Sequence, residues 1–265
     1  MKRTEQRTEN RAGRAKEAKT RAYISIVLLL LALAALTAAT AAWFTIADNT
    51  RVNTMGLDIV ADVDLRMDLD PHDTIDQYRK TLSFEEIAQR IEKEKGFSMK
   101  EVPLEPVTTS DCVTFTFENG KTVPDTSGAY LEFILHFMAE KDMTVHLTSA
   151  SSSEQAQDGT EVSSKNSELP GAMRISFAAD DHTWIYSPGM EDERKEQQGM
   201  ELFGLPAAER MTLSDRNALF DLKQGVDKPV AVRIWLEGTD GACTDRLQSA
   251  DYSIRLRFTG ETAEK

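Results

Sequence analysis

The sequence predicts a mainly β protein: an antiparallel, jelly-roll-like β-sandwich with a short helical insertion, preceded by an N-terminal hydrophobic helix. Three observations support this prediction. Several short segments alternate apolar and polar residues, which is the pattern of strands with one buried face. Polar turns, rather than long helices, separate most of these segments. One stretch, within residues 71–96, has the spacing and the end signals of an amphipathic helix.

The first predicted strand runs from Met55 to Leu69. Its odd positions are apolar and its even positions are mostly charged, with Val60 as the exception. Such alternation predicts one buried face and one acidic, solvated face. Two interpretations are open: a strand of its own sandwich, or an assembly strand that completes the sheet of a neighbour. In the second interpretation the inward-facing plugs are Leu57, Ile59, Val63 and Leu65.

The helical insertion has a start signal and a stop signal. Ser83 and Glu86 have the spacing of a capping box, and apolar residues recur at helical spacing from Phe84 to Ile91. Gly96 is placed to end the helix. We expect this helix to cover one end or edge of a sheet.

The later strands are predicted from alternation and from turn residues. Asn119-Gly120 predicts a tight turn. The segments 130–139 and 143–147 are predicted to form a central hairpin. Residues 149–167 are predicted to form an exposed loop, and 191–198 a charged loop or a frayed helix. The remaining predicted strands are 172–178, 184–188, 230–236 and 252–258.

The N-terminal region predicts export. Residues 1–22 form a basic leader, and residues 23–46 contain no charged side chain, so the positive-inside rule keeps the leader in the cytoplasm. Two fates are open for the apolar segment. Signal peptidase could remove it after the small residues near Ala41, or it could remain as a transmembrane anchor, because it is long enough to cross the bilayer. In either case we expect residues 47–265 to lie outside the cell or at its surface.

Charge narrows the choice of partners. The chain has 31 Lys and Arg against 44 Asp and Glu, a net charge of −13. The leader carries eight basic and three acidic residues, a net +5, which leaves −18 for the rest. A nucleic-acid-binding protein would need a basic surface, so this class is excluded.

Motifs for catalysis are missing from the sequence, and we predict a protein that is not an enzyme and needs no cofactor. The four histidines lie outside any H-E-x-x-H frame. His136 and His146, on the predicted hairpin, are interpreted as cross-strand neighbours rather than zinc ligands. Cys112 and Cys243 could form a disulfide outside the cytoplasm or stay as two buried thiols.

One turn and three aromatic residues have two interpretations each. Glu237, Asp240 and Asp245 lie in a Gly-rich turn, which could hold Ca²⁺ or be a plain solvated turn. Aromatic side chains that could contact a glycan or protein partner, or could belong to the core, are Trp184, Tyr186 and Trp235.

The order of these segments resembles the camelysin/TasA-type secreted proteins of Gram-positive bacteria. The residues that carry the resemblance are Ala42-Trp43-Phe44 after the apolar segment, MRISF at 173–177, WIYSP at 184–188 and RIWLEGTDGAC at 233–243. The resemblance implies a jelly-roll subunit of a surface fibre or biofilm matrix. It also implies export through a dedicated signal peptidase, and polymerisation by N-terminal strand donation.

Three hypotheses follow. The first is an exported structural protein that partners itself or other matrix proteins. The alternative is a β-sandwich module, held at the membrane by residues 23–46, that binds glycan or protein. A surface metalloprotease, suggested by the camelysin name, ranks below both because the chain has no zinc motif.

Overall fold

Two β-sheets pack face to face, and the side chains between them form the main apolar core. The computed structural model describes residues 51–62, 64–149, 159–191, 193–197, 199–206 and 213–262. These residues belong to the compact unit Ala47–Lys265. The predicted leader and hydrophobic segment, residues 1–46, lie outside them. None of the helices in the described part of the chain has the length and apolarity needed to span a bilayer.

Strands dominate the described residues, which confirms the predicted mainly β class. Two α-helices accompany them, α1 (Phe84–Lys95) and α2 (Leu169–Ala172). The strands are β1 (Val52–Ala61), β2 (Leu65–Asp68), β3 (Thr81–Leu82), β4 (Pro106–Thr109), β5 (Phe115–Thr116), β6 (Leu131–Ala139), β7 (Met143–Leu147), β8 (Glu161–Ser164), β9 (Met173–Ala179), β10 (His182–Glu191), β11 (Arg194–Gln197), β12 (Met200–Leu205), β13 (Ala218–Leu222), β14 (Lys228–Glu237) and β15 (Ala250–Thr262).

The first sheet has the order β13-β7-β15-β1-β3, with β8 also paired to β15. The second sheet has the order β11-β12-β10-β9-β14-β4-β5, with β6 paired to β14 and β2 paired to β6. The predicted antiparallel arrangement is wrong at three places, since β1–β15, β10–β12 and β14–β4 pair in parallel. None of these pairs is joined by a tight turn, so the constraint that makes hairpins antiparallel does not act on them.

Phe258 of β15 joins the two sheets at the centre of the core. Its ring packs against Phe137 of β6 and Phe177 of β9, with centroid distances of 5.0 and 5.5 Å. Both contacts are edge-on, the arrangement that aromatic pairs prefer. They link the first sheet to the second through fully buried side chains.

The predicted strand 55–69 is divided between the two sheets. β1 pairs with β15 in the first sheet, and β2 pairs with β6 in the second. The chain passes from the first sheet to the second between Ala61 and Leu65, and the Asp64 carbonyl accepts a hydrogen bond from Glu140 N at 3.0 Å. The alternation persists across the corner because both strands face the same core from opposite sheets.

The helical insertion is confirmed in its details. Ser83 N donates to Glu86 Oε2 at 2.9 Å, which closes the predicted capping box. The helix ends at Gly96, whose φ of 80° lies in the left-handed region that glycine adopts without strain. The apolar face that α1 buries in the main core comprises Phe84, Ile87, Ala88 and Ile91.

The predicted hairpin of 130–139 and 143–147 is wrong. β6 belongs to the second sheet and β7 to the first, so the connection at 140–142 crosses between sheets. Both strands point apolar side chains into the same core, one from each sheet. Their apolar pattern is therefore the same as that of a hairpin and does not reveal which strand each one pairs with. The tight turn at Asn119-Gly120 is confirmed, with Gly120 at a φ of 77° and Phe117 N donating to the Lys121 carbonyl at 2.9 Å.

Both predicted loops contain strands, which corrects the sequence analysis. Within 149–167, β8 pairs with β15 and buries Val162. Within 191–198, β11 pairs with β12. Ladder hydrogen bonds use the backbone, so polar segments can extend a sheet when a partner strand lies alongside. The rest of the first loop, residues 150–158, lies outside the described residues.

An ionic network ties the end of α1 to the outer face of the second sheet. The Glu132 carboxylate accepts from Lys95 Nζ at 2.9 Å and from Arg233 Nε at 2.5 Å. Burial alone would raise the pKa of Glu132, but the hydrogen bond from Lys95 and the charge of Arg233 outweigh it, so the pKa lies below its usual value of 4.5.

Glu132→Gln should make stability less dependent on pH in the acid range. A carboxyl whose pKa is lowered by folding adds stability above its unfolded pKa, and this contribution is lost as the pH falls through the folded value. Urea unfolding at about pH 6 and about pH 3 should therefore show a smaller loss for Glu132→Gln than for the native chain. Glu196→Gln, at an exposed position, is the control. Equal losses in all three proteins would contradict the assignment.

Candidate functional site

β1, the strand predicted to act in assembly, lies between the C-terminal strand and the insertion. It pairs in parallel with β15 from Val52–Ala250 to Ala61–Phe258. On its other edge, Ile59 and Val60 pair with β3. The β1 backbone is therefore held mainly by one long ladder to β15.

The structure separates the predicted plug residues. Leu57 and Ile59 lie on β1 and are fully buried in the main core. Leu65 is also fully buried, but it lies on β2 in the opposite sheet. Val63 lies outside the described residues. Leu57 and Ile59 therefore face the core from one strand, whereas Leu65 contributes to a different sheet.

A bulge near the start of β1 changes which residues face the core. The register with β15 shifts between Thr54 and Gly56, and the Met55 side chain between them is 62% exposed. Thr54 is buried, and its hydroxyl bonds to the Tyr252 hydroxyl at 2.6 Å. Burial raises the pKa of Tyr252 well above its usual range, so the phenol keeps its proton. This buried pair fixes the register of the ladder.

Gly56 brings β1 close to β15. A Cβ placed on Gly56 would lie 3.3 Å from Ser253 Oγ and 3.6 Å from Ser253 Cβ. Neither Thr54 nor Gly56 was among the residues predicted to act in assembly. A glycine beside a break in strict alternation is a signal for a bulge and for close backbone approach. Nothing in the sequence marks Thr54 as buried.

The predicted cation turn uses its carboxylates internally. Glu237 accepts from Trp235 Nε1 at 3.1 Å and from the Thr239 hydroxyl at 2.6 Å. Asp240 accepts from Ala242 N at 2.8 Å and pairs with Arg174. Asp245 opens a short 3-10 turn. No group of three or more His, Cys, Asp or Glu side chains in the described ranges is arranged to hold a metal ion.

A cleft of about 560 Å³ lies beside this turn, on the outer face of the second sheet. One wall carries hydroxyl side chains, including Thr108 and Thr116 from the paired strands β4 and β5. Ile185 and Leu202 contribute apolar surface. Of the three candidate contact aromatics, Trp184 and Tyr186 are buried in the main core, with exposures of 6% and 5%. Trp235 is 2% exposed, packs in a second apolar cluster and lines this cleft.

Both cysteines are buried free thiols in the structure, the second of the two states left open by the sequence. Cys243 packs in the main core, and Cys112 packs with Phe115 and Trp235 in a second apolar cluster on the outer face of the second sheet. Burial raises the pKa of Cys112 to about 11 and that of Cys243 to about 12. Thiols in this state are poor nucleophiles at neutral pH.

The two strand histidines lie in different sheets and have separate partners. His136 Nδ1 lies 2.9 Å from Asp227 Oδ2, and this aspartate also accepts from the Tyr78 hydroxyl at 2.8 Å. His146 Nε2 lies 3.1 Å from Glu261 Oε2. The interpretation of His136 and His146 as cross-strand neighbours is therefore wrong, because β6 and β7 do not form the predicted hairpin.

No family model, curated protein or solved structure matches this chain.

Thr54→Val should destabilise the chain because it leaves the Tyr252 hydroxyl buried without its partner. We expect a loss of about 1–3 kcal/mol in the free energy of unfolding. Tyr252→Phe in the same chain removes the second hydroxyl and should restore part of that loss. Denaturant unfolding of the two single variants and the double variant forms a double-mutant cycle. Additive losses would contradict a direct bond between the hydroxyls.

Proposed function

We propose that this chain is an exported, non-enzymatic structural subunit of a Gram-positive cell surface or biofilm matrix, which assembles with itself or with other matrix proteins by donating β1. Residues 1–46 direct export, as a signal peptide or an anchor. The sandwich is the jelly-roll domain that the resemblance to camelysin/TasA-type proteins implies. The acidic exported part suits a soluble surface and excludes nucleic acid as a partner.

The observation that carries this proposal is the way β1 is paired and buried. Its long ladder runs to one strand, β15, and its side chains Leu57 and Ile59 fill the core beneath that strand. β1 of another subunit could form the same ladder with β15 and place its own Leu57 and Ile59 in the same core positions. Backbone hydrogen bonds would supply affinity, and the alternate apolar side chains would set the register. Leu65 stays with its own domain, because β2 pairs in the second sheet.

Strand donation can be tested by placing one cysteine on each side of the ladder. The 3.6 Å between a Cβ at position 56 and Ser253 Cβ is within the range for a disulfide. One chain carries Gly56→Cys and a second chain carries Ser253→Cys, and both are recovered as exported by a Gram-positive host. After mixing and mild oxidation, non-reducing gels should show a disulfide between the two chains.

Two controls make the result specific to strand exchange. Each single variant incubated alone should give little cross-linked product. The new cysteine would face Ser253 in the Gly56→Cys variant and Gly56 in the Ser253→Cys variant, so no second thiol would lie opposite it. Gly56→Cys and Ser253→Cys in the same chain should close an internal disulfide and block fibres in electron micrographs until a reductant is added. Absence of mixed product, together with fibres from the closed chain, would reject donation of β1.

A second candidate is the membrane-anchored module that binds glycan or protein, and the cleft of about 560 Å³ with its hydroxyl wall favours it. The state of the N-terminus separates the candidates. We expect mass spectrometry of the exported chain to find a new N-terminus near Trp43, as for a released subunit. An intact leader on all of the protein would favour the anchored module.

A further inference from the structure

Residues 71–82, here called the arm, precede helix α1, and the last three of them pair with β1 on the side away from β15. Lys80 O accepts a hydrogen bond from Ala61 N at 2.7 Å, and β3 of the arm pairs with Ile59 and Val60. The start of α1 adds a further bond, because Phe84 N donates to Asp58 Oδ1 at 3.3 Å. The arm therefore covers the last part of the β1 edge that faces away from β15, and Leu104 bonds to Val52 at the first part of that edge.

The arm and α1 differ in how much they bury. Helix α1 contributes Ile87 and Ile91, both fully buried, to the main core. Within the arm, Tyr78 and Leu82 are buried and the other side chains are exposed or partly exposed. Segments with few buried apolar contacts open at a lower free-energy cost than the core. Opening of the arm, which places only Leu82 in the main core, should therefore cost less free energy than unpacking of α1.

Tyr78 fastens the arm to the second sheet. Its hydroxyl donates to Asp227 Oδ1 at 2.8 Å, and the same aspartate lies 2.9 Å from His136 Nδ1 on β6. The hydroxyl also accepts from His72 N at 2.9 Å. Burial raises the pKa of Tyr78 to about 12, so it remains a donor at neutral pH. The neighbouring pair of Arg79 and Asp68, at 3.3 Å, is half exposed on the arginine side and contributes less.

We propose that the arm is a clasp that holds β1 in its own sheet, and that its release from Asp227 and from β1 controls strand exchange between subunits. This inference rests on the proposed function. The clasp acts because a strand paired on both edges cannot leave its sheet until one edge is freed. It is held by the Tyr78 hydroxyl, by the two backbone hydrogen bonds between Arg79 and Met67 of β2, and by the β3 ladder.

The test uses the mixed-cysteine assay, with Gly56→Cys in one chain and Ser253→Cys in the other, and adds a clasp variant to both. Tyr78→Phe keeps the ring and removes the bond to Asp227. Loss of a hydrogen bond to a charged group should speed cross-linking about tenfold or more. Tyr186→Phe, a buried tyrosine on β10 of the second sheet, is the matched control and should leave the rate unchanged.

A second variant closes the clasp. Val60 and Thr81 are register partners between the hydrogen-bonded pairs of the β1–β3 ladder, where side chains approach most closely. Val60→Cys with Thr81→Cys should therefore form a disulfide that holds the arm on β1. This closed form should lose the ability to form fibres in electron micrographs and regain it on reduction. This disulfide variant tests the proposal even if Tyr78→Phe fails to fold.

The outcomes separate the clasp from strand donation itself. Faster exchange in Tyr78→Phe and arrest in the closed form would support the clasp. Equal cross-linking in the native and Tyr78→Phe backgrounds, with fibres from the closed form, would overturn the clasp and leave strand donation standing. No mixed cross-link in any background would overturn the proposed function and the clasp with it.

Discussion

The parallel ladder between β1 and β15 is the interaction on which the rest of the domain depends. It places the beginning of the described chain beside its end, and it sets Leu57 and Ile59 under the strand that carries Phe258. Phe258 in turn reaches Phe137 and Phe177 of the second sheet. Without β1, β15 would lose a partner along most of its length, and the core would open on that side. The sandwich is closed by pairing two strands that are distant in sequence.

The two parts of the insertion, the arm and helix α1, contribute unequally to the core. Helix α1 packs its apolar face into the same cluster as Leu57 and Ile59, whereas the arm before it adds only Leu82 to that cluster and is otherwise held by short backbone pairings with β1 and β2 and by polar groups. One segment of the chain therefore combines a part that is well packed in the core and a part with few core contacts. In the proposed clasp, this difference would let the arm open while the core stays packed.

Sequence reasoning identified the elements that have strong local signals. The capping box at Ser83 and Glu86, the stop at Gly96 and the turn at Gly120 are each set by a few neighbouring residues. Pairing could not be predicted in the same way. β6 and β7 have the apolar pattern of a hairpin, yet they lie in opposite sheets, because both face one core. The short polar strands β8 and β11 were missed because their pairing is set by neighbours from distant parts of the chain. At the candidate site, Leu57 and Ile59 were predicted as inward-facing, but the Thr54–Tyr252 bond needed coordinates.

The corner between β1 and β2 has a geometric consequence for any assembly. The chain passes from Ala61 to Leu65 in four residue steps, which reach about 14 Å at full extension. The Ala61 end of a donated strand would thus remain within that distance of Leu65 in its own domain. Neighbouring subunits would therefore lie close together, without a flexible spacer between them.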